Sequence, residues 1–173
     1  MIFTEALEKG QHLGTEFLTW LWWRAETTNI IQVADGSNVS VDLCGNVALQ
    51  RISDTKDRVT VVGDSSQYRE GIAALREGKV PTRARFLFSQ GRYSFEVILD
   101  AQWLTVRSMK YVSSIDPKDG EQTPESVLLD RMAIIDMGWS IVDQLFRSFM
   151  DIRTHQPWTQ VWREIKAWTQ EAA

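Results

Sequence analysis

An α+β fold, with an antiparallel sheet of hairpins covered by helices and closed by a long C-terminal helical pair, follows from three features of the chain. An aromatic-dense helical segment lies at 13–24, apolar and polar residues alternate over 28–62 and 80–110, and helical periodicity resumes after Thr123. A chain of 173 residues can bury about 70% of its unfolded surface, so one domain over 1–173 is expected without disulfides or metal. Within it, 12–112 form the helix and β-rich part and 123–172 the helical part.

The first helix carries Leu13, Phe17, Trp20, Leu21 and Arg24 on one face, while Trp22 and Trp23 point elsewhere. Either two layers sandwich this helix, or Trp22 and Trp23 form a partner interface. In the segment after it, Val39, Val41 and Leu43 take one strand face, and Val47, Leu49 and Arg51 return beside it through a turn at Cys44-Gly45-Asn46. A third strand runs from Arg58 to Val62. Asp64 or Ser65 then caps a helix over 66–77 that Gly78 stops.

The clearest hairpin joins Val80 to Ser89 with Arg92 to Leu99 through Gln90-Gly91. A two-residue loop there sets Phe88 opposite Tyr93, Phe86 opposite Phe95 and Arg85 opposite Glu96. A turn over 100–103 leads into a strand over 104–110 that brings Arg107 beside Glu96, while Arg83 and Arg92 lack an obvious partner. Residues 113–122 read as a mobile loop. Thr123 as N-cap and Pro124 as N1 start a long helix with an a/d seam: Leu128, Met132, Ile135, Trp139, Val142, Phe146 and Phe149. A second stripe through Ile134, Gly138, Ile141, Leu145 and Ile152 implies cover on a neighbouring face, and Gly138 implies close approach of another backbone. The final helix, with Trp158, Trp162, Ile165 and Trp168, can fold back onto the seam; pairing with a second copy is the alternative.

The net charge of −4 conceals an asymmetry. Residues 76–118 carry eight cations against four carboxylates, whereas 1–49 and 119–173 are each −4. A polyanion responds to such a local field. Catalytic signals are absent: His12 and His155 lack companions at metal-ligand spacing, Cys44 has no adjacent base, and no phosphate-binding glycine loop occurs. No enzyme, cofactor or metal site is therefore expected. The longest apolar runs are too short to span a bilayer, and the N-terminus has no basic segment before an apolar one, so a cytoplasmic location without membrane contact is expected.

Several segments in order resemble the C-terminal half of the bacterial recombination-associated protein RdgC family. They are the run from Leu13 to Trp22, the run Ile72-Ala73-Ala74-Leu75-Arg76-Glu77-Gly78-Lys79-Val80, the three strands to Tyr111, and the closing helices with Arg131-Met132 and Phe146 to Arg153. The resemblance implies a non-enzymatic, nucleoid-associated protein that binds double-stranded DNA without sequence preference as a ring-shaped dimer and restrains recombinase filaments. A homodimer, or a partner supplying an N-terminal half, is implied with it. From charge alone, the expected DNA contacts are Lys79, Arg83, Arg85, Arg92, Arg107 and Lys110. The alternative is an interaction or oligomerisation module that touches no nucleic acid, supported by eight tryptophans and the heptad seam.

Overall fold

The computed structural model describes residues 2–63, 65–112, 123–155 and 158–171. Four helices and six strands follow in the order α1 (Ile2–Thr27), β1 (Ile30–Gln32), β2 (Asn38–Arg51), β3 (Asp54–Gly63), α2 (Ser65–Arg76), β4 (Lys79–Gln90), β5 (Tyr93–Asp100), β6 (Thr105–Tyr111), α3 (Pro124–His155) and α4 (Trp158–Glu171). All strand pairs are antiparallel, in the order β1-β2-β4-β5-β6, with β3 pairing the later part of β2 along the edge where β1 pairs its start. The expected α+β class is the one observed. The expected loop over 113–122, Asp64 as a cap, and residues 156–157 lie outside the described residues.

One side of the sheet builds the core. Val39, Val41, Val47 and Leu49 of β2, Phe86 and Phe88 of β4, and Phe95 and Val97 of β5 are all buried on it. This is the period-2 alternation of a half-covered sheet. The helices pack on that side. Gly14 of α1 lies against the Ala101 carbonyl, so closely that a Cβ would overlap it, and Leu18 and Leu21 continue the same buried face. On its other side α1 meets α3, with Phe17 centred 5.2 Å from both Phe146 and Phe149. Trp22 meets Tyr68 of α2 and Trp168 of α4 at 6.4 and 6.1 Å. The sandwiched-helix reading of the aromatic segment therefore describes Trp20 and Trp22, both wholly buried.

Two expectations about the strands are corrected. There is no turn at Cys44-Gly45-Asn46: β2 runs through it, and Gly45, with φ +75°, absorbs two extra residues as an irregularity between the pairs Leu43–Phe86 and Val47–Ala84. A positive φ serves a bulge as well as a reversal, and here β4 continues alongside. The loop of the β4–β5 hairpin is Gly91-Arg92, one residue later than expected, because Gly91 supplies the positive φ of +59° at its first central position. The register therefore moves by two. Phe88 faces Phe95, Phe86 faces Val97 and Arg85 faces Ile98, so each residue keeps its side of the sheet but changes its neighbour.

The long helix starts as expected, with the Ser126 N–H donating to Thr123 Oγ1 at 3.2 Å. Its apolar rows are used unequally. Ile141, Leu145 and Phe149 are fully buried, and Gly138 makes room not for the expected backbone but for the side chains of Met109 and Phe95 of the sheet. Along the seam, Leu128, Met132, Ile135 and Trp139 are each more than half exposed. The fold-back of α4 covers the far end only, where Trp158 meets Phe149 at 5.6 Å.

Candidate nucleic-acid interface

Because the apolar side of each strand faces the helices, the alternate residues form a second sheet face, bare among the described residues except where Thr15 of α1 borders it. Across it lie Asp42, Asn46, Ala48 and Gln50 of β2, Arg58 and Thr60 of β3, Arg83, Arg85 and Leu87 of β4, Glu96, Ile98 and Asp100 of β5, and Arg107 and Lys110 near the β6 edge. A groove of about 750 Å³ crosses this face, lined by Asn46, Gln50, Arg58, Thr60, Arg83 and Gln102 among others. Five strands abreast make a platform roughly 19 Å wide.

Asp100 organises the cations. Its side chain is only 6% exposed, and its Oδ2 lies 3.0 Å from Arg107 and 3.5 Å from Arg83. The same carboxylate accepts the Gln102 N–H at 3.0 Å through Oδ1. Arg83 and Arg107 themselves remain about half exposed, at 56% and 49%. Arg85 reaches Glu96 diagonally at 3.9 Å, and Lys110 stands directly across from Glu96. Arg107 thus joins Asp100 rather than Glu96, and Arg83 has the partner the sequence did not reveal.

Four of the six cations expected to meet DNA therefore share one surface: Arg83, Arg85, Arg107 and Lys110. The other two do not. Lys79 is buried beside Asp57 at 3.1 Å and Glu77 at 3.6 Å, on the helix-covered side where β4 begins. Arg92 sits in the hairpin loop over the Tyr93 ring at 5.1 Å and donates to the Tyr93 hydroxyl at 2.9 Å. Arg58, which charge counting along the chain passed over because it precedes the basic segment, completes the set. The alternation of Val59 and Val61 is the signal that places it outward. Its guanidinium donates to Gln50 at 3.3 Å.

The face thus holds five cations, Arg58, Arg83, Arg85, Arg107 and Lys110, against the carboxylates Asp42, Glu96 and Asp100, leaving +2 in a chain of −4. Lys56 and Asp54 at the β2–β3 turn offset each other. No aromatic side chain stands among these positions. Cys44 lies on the same face, and its thiol is pushed up to about 11, by burial first and then by Glu96, so it is a poor nucleophile.

The expected partner interface at Trp22 and Trp23 is corrected for the first of the pair. Trp22 is fully buried between α2 and α4 and offers no surface, while Trp23 is half-buried with the Arg24 guanidinium 5.7 Å from its ring. His155 is exposed beside Asp151. Among the described residues, no group of three or more His, Cys, Asp or Glu could hold a metal ion, and no helix is long and apolar enough to cross a membrane. Comparisons with protein-family profiles, curated proteins and solved structures find no match.

Proposed function

We propose that this chain is a non-enzymatic accessory protein of recombination, RdgC-like, that binds duplex DNA without sequence preference across its bare sheet face. The observation that carries this reading is the +2 charge of an uncovered face in a chain of −4. Cations spread over several strands suit phosphates, which give affinity and orientation but no sequence information. Duplex is favoured over single strand because none of the outward strand positions that carry the cations is matched by an aromatic neighbour on the strands, where a run of unpaired bases would stack.

With between two and five phosphates neutralised, the logarithm of affinity should fall with the logarithm of salt at a slope of about −1.8 to −4.5. Fluorescence anisotropy with duplexes of unrelated sequence, beside a single strand of equal length, tests this. Equal affinities among the duplexes and weaker single-strand binding are expected at about 50 mM salt. Absence of binding there, or a single-strand preference, would overturn the reading. The alternative interaction-module reading has its own support in the exposed half of the α3 seam.

A further inference from the structure

We propose that the N-terminal half of α3 pairs in parallel with the same segment of a second copy, through Leu128, Met132, Ile135 and Trp139. These side chains are 51–59% exposed, and Leu129 beside them is 65% exposed. The five leave roughly 500–600 Å² of apolar surface per copy, at the upper end of what a monomer usually shows in one patch. Covered by an identical patch, this becomes about 1,000–1,200 Å² in total, which reaches the threshold of a specific interface.

Spacing and charge select the occupant and its direction. With Leu128 and Ile135 at d and Met132 and Trp139 at a, Arg131 falls at g and Asp136 at the following e. In a parallel pair, g of one helix meets the next e of the other, so Arg131 faces Asp136 of the second copy, twice by symmetry. An antiparallel pair sets Asp136 beside Leu129 and Arg131 beside Gly138. The parallel arrangement is therefore the complementary one. The pairing ends where it must, because beyond Trp139 the seam continues through Val142 to Phe146 and Phe149, which are already covered by Phe17 of α1 and Trp158 of α4.

This inference is independent of the DNA reading, since it uses no residue of the bare face. Sedimentation of the full chain over about 1–200 µM should show a reversible dimer. Ile135→Asp, at an exposed position, should abolish the dimer while leaving thermal unfolding of the monomer unchanged. Arg131→Glu should weaken association about tenfold, and the exchange of Arg131→Glu with Asp136→Arg should restore it to within about threefold. Leu128→Cys in a Cys44→Ser background should crosslink on mild oxidation, because parallel d positions face each other, whereas antiparallel helices hold them about 16 Å apart. A monomer at every concentration, or a dimer that survives Ile135→Asp, would sink the interface. Failure of the charge exchange or of the crosslink would sink the parallel register.

Discussion

Replacing Asp100 by Asn should tighten DNA binding, although it removes a well-formed ion-pair centre. The carboxylate holds Arg107 at 3.0 Å and Arg83 at 3.5 Å, so it withholds both from phosphates in proportion to its own charge. Neutralising it takes the face from +2 to +3 and adds about one phosphate contact, which steepens the salt slope by about 0.9. If the added contact is neutral at about 1 M salt, the gain is about 15-fold at 50 mM and about fourfold at 200 mM. The two affinity lines should therefore converge as salt rises. Asn retains an oxygen for the Gln102 N–H, and because both arginines are half exposed and re-solvate, the loss of stability should be about 1 kcal/mol. Anisotropy titrations at four salt concentrations, with thermal unfolding in parallel, measure both effects. An unchanged slope, or weaker binding by a folded variant, would refute the assignment of Arg83 and Arg107 to phosphate contact.

Three further outcomes are expected. Gly14→Ala would ordinarily stabilise a helix by about 1 kcal/mol, but its Cβ would overlap the Ala101 carbonyl, which is backbone and cannot swing away. A net loss of about 1–3 kcal/mol should appear in denaturant unfolding, and a stabilised variant would contradict this helix–sheet contact. Cys44, with its thiol pushed up to about 11, should react with a thiol reagent at pH 8 about two orders of magnitude more slowly than a free cysteine, and only denaturant should remove the difference. Asp57 is held below the usual carboxylate range by hydrogen bonds from Arg51 and then Lys79. Its contribution to stability is therefore present above the unfolded value of about 3.9 and is lost as pH falls through the lower folded value. The acid limb of unfolding should be shallower in Asp57→Asn, and an identical limb would contradict the pairing.

The helices were legible wherever local chemistry decides them. Thr123-Pro124 opens α3 and Gly78, with φ +87°, follows the end of α2, because a cap or a left-handed residue acts within a few positions of itself. Strand pairing is a non-local choice, which a short stretch of sequence does not decide. Gly45 looks the same in sequence whether it reverses a chain or bulges it, and only the neighbouring β4 decides. The hairpin slip of two residues keeps Arg83 and Arg85 on their expected side, and the irregularity between Ile98 and Leu99 lets Arg107 share it with Lys110; of the expected partners, Arg85–Glu96 is present, while Arg107 joins Asp100 instead. Lys79 stands an even number of residues before Arg83 and Arg85, so alternation alone turns it outward with them; the irregularity between the pairs Ala48–Arg83 and Leu49–Pro81 turns it instead to the buried side, beside Asp57. The α3 seam was visible in full, but periodicity marks an apolar stripe without saying which half its own domain covers.

The sidedness of the sheet bears on how many copies could share one polyanion. A chain of −4 whose bare face holds +2 carries −6 over the rest of its charged groups. A copy seated by that face would bring its cation cluster to the duplex and leave the rest of the chain net anionic. A single copy would therefore coat without bridging, whereas a pair joined through α3 carries two such faces and would draw two stretches of duplex together.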